Sequence, residues 1–139
     1  MTVISKELSI QTKGECDILD ITKKVFETVA ETKLDSGIVT VFVSGSTGAL
    51  TTIEFEPGLV MDFPTILERI APKNLSYEHE RRWHDHNGHS HIRASLMSPS
   101  ITVPFINGKL TLGTWQQIVF VELDVRSRFR TLVLLIIGE

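Results

Sequence analysis

Ile101-Thr102-Val103-Pro104-Phe105-Ile106-Asn107-Gly108-Lys109-Leu110-Thr111-Leu112 is the stretch that sets the fold class. Ile101 to Phe105 is β-branched and aromatic, the composition of a strand on a pleated, half-buried surface. Pro104 cannot donate to a ladder, which marks an edge or a bulge. Asn107-Gly108 is the strongest hairpin signal in the chain, because a two-residue return needs positive φ at both positions. Lys109 to Leu112 then runs back. Two further strands follow without a helix between them, Gln116 to Leu123 and Arg130 to Ile137, separated by Asp124 to Arg128. Strands in uninterrupted series pair antiparallel and argue against a βαβ alternation.

The N-terminal part adds helices. Val3 to Thr12 reads as a strand closed by Lys13-Gly14, with a second short strand over Cys16 to Leu19. Asp20 is the expected N-cap of a helix running to Lys33. Ile21, Val25 and Val29 form its apolar face, with Phe26 and Ala30 beside them; such a stripe is core. Ile38 to Val43 and Leu50 to Glu56 are strands flanking Ser44-Gly45-Ser46-Thr47-Gly48. Leu59, Phe63, Leu67 and Ile70 share a helical face up to Pro72, and Pro64 is expected to kink this helix or delay its start. Residues 73 to 91 lack periodicity and read as loop. Ile92 to Met97 reads as a short helical piece stopped at Pro99. The sum is an α+β fold, a mostly antiparallel β-sheet or sandwich of about seven strands with two main helices.

With 139 residues, 42% hydrophobic and 22% charged, the chain fits one domain over residues 1–139. A net charge of -3 gives no reason to expect nucleic acid or a membrane as partner. The longest apolar run, Leu132 to Ile137, is too short to span a bilayer, and Met1 to Lys6 lacks a signal-peptide pattern. A cytoplasmic protein is expected. The single cysteine, Cys16, lies between Glu15 and Asp17. Negative neighbours raise a thiol pKa, so it reads as a buried hydrophobe and not as a nucleophile.

Chemistry concentrates in His84-Asp85-His86-Asn87-Gly88-His89-Ser90-His91, which holds four of the five histidines. Buried imidazoles and carboxylates need partners. The run is either a metal or substrate site or a solvated loop. If residues 89 to 91 are extended, His89 and His91 point to the same side. Imidazoles are common ligands for zinc, and Asp85 adds an oxygen. In Gly45-Ser46-Thr47-Gly48, tight-turn N–H groups and two hydroxyls suit an anion, although a plain turn is the simpler reading. Glu54 and Glu56 fall on one face of one strand. Arg81, Arg82 and Arg93 flank the histidines and suit a phosphate, or are surface charges. Trp115 reads as a packing residue.

Asn107-Gly108-Lys109-Leu110 followed by Leu112-Gly113-Thr114-Trp115-Gln116-Gln117-Ile118 closely resembles the signature of the YjbQ family, also called the secondary thiamine-phosphate synthase family. His91-Ile92-Arg93-Ala94-Ser95-Leu96-Met97, Pro99 to Pro104, and Gly48-Ala49-Leu50-Thr51 with Glu54 extend the match across the chain. The resemblance implies an α+β homotrimer with weak thiamine-phosphate synthase activity. That reaction joins a pyrimidine methyl diphosphate to a thiazole phosphate and releases pyrophosphate. Glu54, Asp85 and His91 are then the expected catalytic residues. Ser46, Thr47, Asn87 and Arg93 are expected to bind a small phosphorylated substrate. His79, His89 and His91 are expected to hold a divalent metal ion, zinc or magnesium. Gly45 stands where many members carry a histidine. Two other functions stay open at this point: a metal-dependent hydrolase built on the histidine run, and a non-catalytic trimeric binding protein.

Overall fold

The computed structural model describes all residues, Met1–Glu139. Eight strands and four helices follow in the order β1 (Thr2–Gln11), β2 (Asp17–Asp20), α1 (Thr22–Glu31), β3 (Gly37–Val43), β4 (Gly48–Ile53), α2 (Pro57–Ile70), α3 (Glu78–Trp83), α4 (Gly88–Met97), β5 (Ser100–Ile106), β6 (Lys109–Leu110), β7 (Gln117–Glu122) and β8 (Phe129–Gly138). The fold is α+β, as expected. Strands β1-β8-β3-β5-β6 form one sheet and β2-β7-β4 a second, and every pair is antiparallel. The Asn107-Gly108 turn joins β5 to β6 with φ of 51° and 68°.

Alternation along the strands builds the core. Val39, Val41 and Val43 of β3, Leu132, Leu134 and Ile136 of β8, and Val103 and Phe105 of β5 face inward from the larger sheet. They meet Leu50, Ile118 and Phe120 of the smaller sheet, and Ile21, Val25 and Val29 of the first helical stripe. The opposite face of the smaller sheet presents Ile18, Ala49, Val119, Val121 and Leu123 to Leu67 of α2 and Ala94 of α4. Strand β7 is therefore covered on both faces, which its unbroken apolar run Ile118 to Val121 permits. The molecule has three layers: large sheet, small sheet with α1, then α2 and α4.

Several local expectations change. The N-cap of α1 is Ile21, one residue later than expected, while the Asp20 carboxylate accepts from the Thr22 N–H and hydroxyl. Helix α2 runs through Pro64 unbroken. Pro57 suits its first turn, and the Glu56 carboxylate caps it by accepting from the N–H groups of Gly58 and Leu59. Strand β4 thus ends at Ile53, and Glu56 does not share a strand face with Glu54. The stretch expected as loop contains α3, and α4 begins four residues before Ile92. No helix is long and apolar enough to cross a membrane.

Candidate functional site

Helix α4 departs from ordinary amphipathic patterning. Its buried residues are Gly88, His89, Ser90, Arg93 and Ala94, whereas Ile92 and Leu96 are exposed. The start is fixed from outside the helix. The Glu80 carboxylate of α3 accepts from the Gly88 N–H at 2.6 Å. A Cβ at position 88 would lie 2.7 Å from that oxygen and from the Tyr77 Cβ, so only glycine allows the approach.

Helical geometry separates residues two apart by about 200° around the axis. His89, 1% exposed, turns inward, and its Nε2 meets the Glu15 carboxylate at 2.6 Å. Glu15 also pairs with Lys73. Burial raises the Glu15 carboxyl, but hydrogen bonds from Lys73 and His89 outweigh it and leave the group below its ordinary value. Arg93, on the same side, donates to the Ala71 carbonyl at 3.0 Å and to Glu68 at 2.6 Å. His91 points the other way, its ring 4.5 Å from that of His79.

His91 opens on a cleft of about 500 Å³. Three segments line it: Gly45, Ser46 and Thr47 between β3 and β4; Asp85, Asn87 and His91; and Asp124, Arg126 and Arg128 from the β7–β8 connection, with Arg130 of β8 beside them. The loop lies beside β7 because the Leu123 N–H donates to the Thr47 carbonyl at 3.0 Å.

The arginines differ in freedom. Arg130 is buried and donates to both oxygens of Glu122, itself fully buried. Its second contact is the Thr47 hydroxyl at 2.9 Å, and Thr12 donates to Glu122 at 2.8 Å. This network aims the Thr47 hydroxyl proton at Asp124, 3.4 Å away, so Thr47 is occupied and Ser46 is the open hydroxyl of the loop. Arg128 pairs with Asp124 at 2.6 Å. Arg126 is 71% exposed and only loosely paired, 4.0 Å from the same carboxylate, which makes it the most available cation. Burial raises the Asp124 carboxyl, but the Val125 N–H, Arg128 and Asn87 outweigh it and hold it below its usual range.

Of the two orientations of the Asn87 amide the second satisfies it better, because the first sets its oxygen against the Asp85 carboxylate. With its nitrogen toward Asp124 Oδ1 (3.4 Å) its oxygen meets His79 Nε2 at 3.0 Å. Reversed, it donates to His79 Nε2 at 3.0 Å and to Asp85 at 2.9 and 3.2 Å. His79 Nε2 also stands 3.2 Å from Asp85 Oδ1. Burial first, and the neighbouring His79 second, lower the His91 pKa against the pull of Asp85, Asp124 and Glu80. A neutral imidazole at pH 7 beside cations is a proton acceptor.

The sequence-predicted residues separate. Ser46, Thr47, Asp85, Asn87 and His91 meet in the cleft, with His79 behind Asp85 and His91. Arg93 is not in the cleft, because the helix turns it to Glu68. His89 does not join His79 and His91: residues 89 to 91 are helical, not extended, so the three-histidine set is not assembled, and no three His, Cys, Asp or Glu side chains converge to hold a metal ion. Glu54 lies exposed beyond β4, outside the cleft lining. Trp115 is 72% exposed rather than packed. The glutamines after it fasten its loop, Gln116 to Thr52 and the Gly113 N–H, Gln117 to the Phe55 N–H. The Cys16 thiol is pushed up to about 11, chiefly by burial, which fits an inert cysteine.

Sequence reasoning missed Asp124, Arg126, Arg128 and Arg130. A signal was present. Arg130, Leu132, Leu134 and Ile136 alternate along β8, and a charge in the inward register of a strand needs a buried partner. Glu122 ends β7 in the same way.

Known proteins agree with this architecture. Residues 6–139 match the family described as UPF0047 protein YjbQ-like. A UPF0047 protein of Methanothermobacter thermautotrophicus is 40% identical over 124 residues, 89% of this chain and 85% of that one. One from Archaeoglobus fulgidus is 38% identical over 127 residues, covering 91% and 97%. The crystal structure of a YbjQ-like protein of unknown function from Sulfolobus solfataricus superimposes with a TM-score of 0.94 at 32% identity, covering 99% of both chains. The Leu-Gly-Thr-Trp-Gln run, the two antiparallel sheets and these matches along nearly the whole length agree: the chain belongs to the UPF0047, YjbQ-like family.

Proposed function

We propose that the cleft binds a small phosphorylated molecule and transfers a group from it, as in the joining of a pyrimidine methyl diphosphate to a thiazole phosphate. One observation carries this reading: Arg126 and Arg128 converge with the open Ser46 hydroxyl and a neutral imidazole, His91, in one polar cleft. Arginine forks suit phosphate oxygens, and the charge leaving with a diphosphate needs such donors. A bond forms from the thiazole nitrogen to the methylene carbon. The carbon–oxygen bond breaks, and its electron pair departs with pyrophosphate. Arg126, Arg128 and Ser46 receive that group, Asn87 and Asp85 orient the ring portion, and the neutral His91 accepts a hydrogen bond from it, the step itself releasing no proton.

The metal in this reading is magnesium brought by the diphosphate. Such an ion needs only one or two protein carboxylates, and Asp85 and Asp124 line the cleft. A zinc centre of His79, His89 and His91 finds no support in the geometry. The assembly proposed is a homotrimer. Support comes from the outer face of the larger sheet, where Val3, Ile38, Phe42 and Leu135 remain exposed. Sedimentation equilibrium of untagged protein tests it, a trimer mass being the expected result.

The activity is tested by incubating the protein with both precursors and magnesium and measuring thiamine phosphate. Product formed by wild type and reduced in Arg126→Ala supports the assignment. Absence of product, together with absence of pyrophosphate-induced NMR shifts at Ser46, His91 and Arg126, removes it.

A further inference from the structure

The turn 84–87 has a second side. His84 and His86 both adopt the left-handed conformation, φ 58° and 57°. This conformation is unfavourable for a side chain with a Cβ, and such residues cluster where structure serves a ligand. Its effect here is geometric. Asp85 and Asn87 go to the cleft described above, and His84 and His86 go to a separate one of about 510 Å³. Lys73, Arg81, Ser76 and Leu75 also line this second cleft.

Its lining is richer in hydrogen-bond donors than in acids, which suits an anion. Lys73, Arg81 and the two imidazoles face one acid, Glu80. That carboxylate already accepts the Gly88 N–H at 2.6 Å. Arg81 is held only by Glu78, 3.1 Å away in a pair where both side chains are more than two-thirds exposed, and such surface pairs exchange readily for a ligand. Lys73 keeps Glu15 as its partner but is half exposed, with further protons to donate. A concave set of imidazole, guanidinium, ammonium and hydroxyl donors matches a tetrahedral oxyanion, and the exposed Leu75 offers an apolar wall for the rest of a molecule.

We propose that this cleft is a second anion site, taking a small phosphorylated molecule on the opposite side of the same turn. It does not depend on the transferase reading, because none of its lining residues belongs to the first cleft.

Calorimetric titration of full-length protein with inorganic pyrophosphate tests the site. Arg126→Ala isolates it by weakening the first cleft. In that background one binding event per chain is expected, with backbone amide NMR shifts centred on residues 73–77 and 84–86. Adding His84→Asn and His86→Asn, which suit the left-handed turn and so preserve it, should weaken that event at least tenfold. Against wild-type His84 and His86, Arg126→Ala should leave it unchanged. No binding in Arg126→Ala, or binding indifferent to the two asparagines, overturns the proposal. Loss of thiamine phosphate formation alone would bear on the first cleft only.

Discussion

His89 and His91 stand two residues apart on α4 and do opposite work. His89 is sealed, its Nε2 against Glu15, on a side that Arg93 closes with Glu68 and the Ala71 carbonyl. His91 faces the cleft and has no such anchor among its neighbours, only the tilted ring of His79 at 4.5 Å. The helix converts a cluster of like residues in sequence into a structural side and a chemical side. One side spends its polar groups on holding α2, α4 and the β1–β2 connection together. The other leaves them available.

Replacing residues on each side should therefore separate stability from activity. Arg93→Met strands the Ala71 carbonyl and frees Glu68. With Glu68 half exposed, the cost should be about 3 kcal/mol, roughly 10 °C in Tm, without change in pyrophosphate binding to the first cleft. Urea denaturation of the variant measures it, and a loss below about 1 kcal/mol would contradict the sealed side as described. His91→Gln should do the reverse. Transfer activity should fall about 100-fold through loss of substrate positioning, while stability stays within about 0.5 kcal/mol of wild type. Equal losses in both would mean that the two sides are not distinct.

His89→Gln should cost about 2 kcal/mol through the lost charge-assisted bond and leave catalysis intact. It also has a pH signature. The Glu15 carboxyl is lower in the folded chain than its ordinary value of 4.5, so its contribution is present above that pH. The contribution is lost as pH falls through the folded value. Wild type should thus lose stability on acidification below 4.5 more steeply than the variant, whose Glu15 has one partner fewer. The smallest effect belongs to His79→Ala. Burial still lowers the His91 pKa, but the second cause, the neighbouring His79, is removed. The His91 imidazole resonance should titrate at a higher pH than in wild type. In the folded wild type its neutral form is favoured, so the stability it lends is present above 6.5 and declines as pH falls through the lower folded value. A downward or absent NMR shift in His79→Ala would exclude the contact between the two rings as a cause.

The same division explains what the sequence disclosed. Asn107-Gly108, the Ile21-Val25-Val29 stripe and the alternating strands are local codes, each written within a few residues, and they give the two-sheet α+β architecture. Helix α4 is not written that way. Its inward face is His89, Ser90 and Arg93 and its outward face includes Ile92 and Leu96, the inverse of a hydrophobic pattern. Its start depends on Glu80 and Tyr77 closing over Gly88, a contact between elements. Pro64 misled for a related reason, since the cap at Glu56 and the burial of Leu67 against the small sheet hold α2 through it. In the cleft, Ser46, Thr47, Asp85 and His91 were legible from residue chemistry, and Asn87 only through the family resemblance. Arg126 and Arg128 were hidden because a connection between strands carries no periodicity of its own.

The buried pair of Arg130 and Glu122 bears on how such a sequence can drift. Either residue replaced alone strands a full charge against Thr47, Thr12 and the cleft floor, an arrangement that costs several kcal/mol. Replaced together by apolar residues of similar volume, they would leave the fold standing but release the Thr47 hydroxyl and the Asp124 backbone they fix. Descendant sequences are thus expected to keep both residues or exchange both, and a relative lacking the pair should show a cleft with altered ligand preference rather than an unfolded chain.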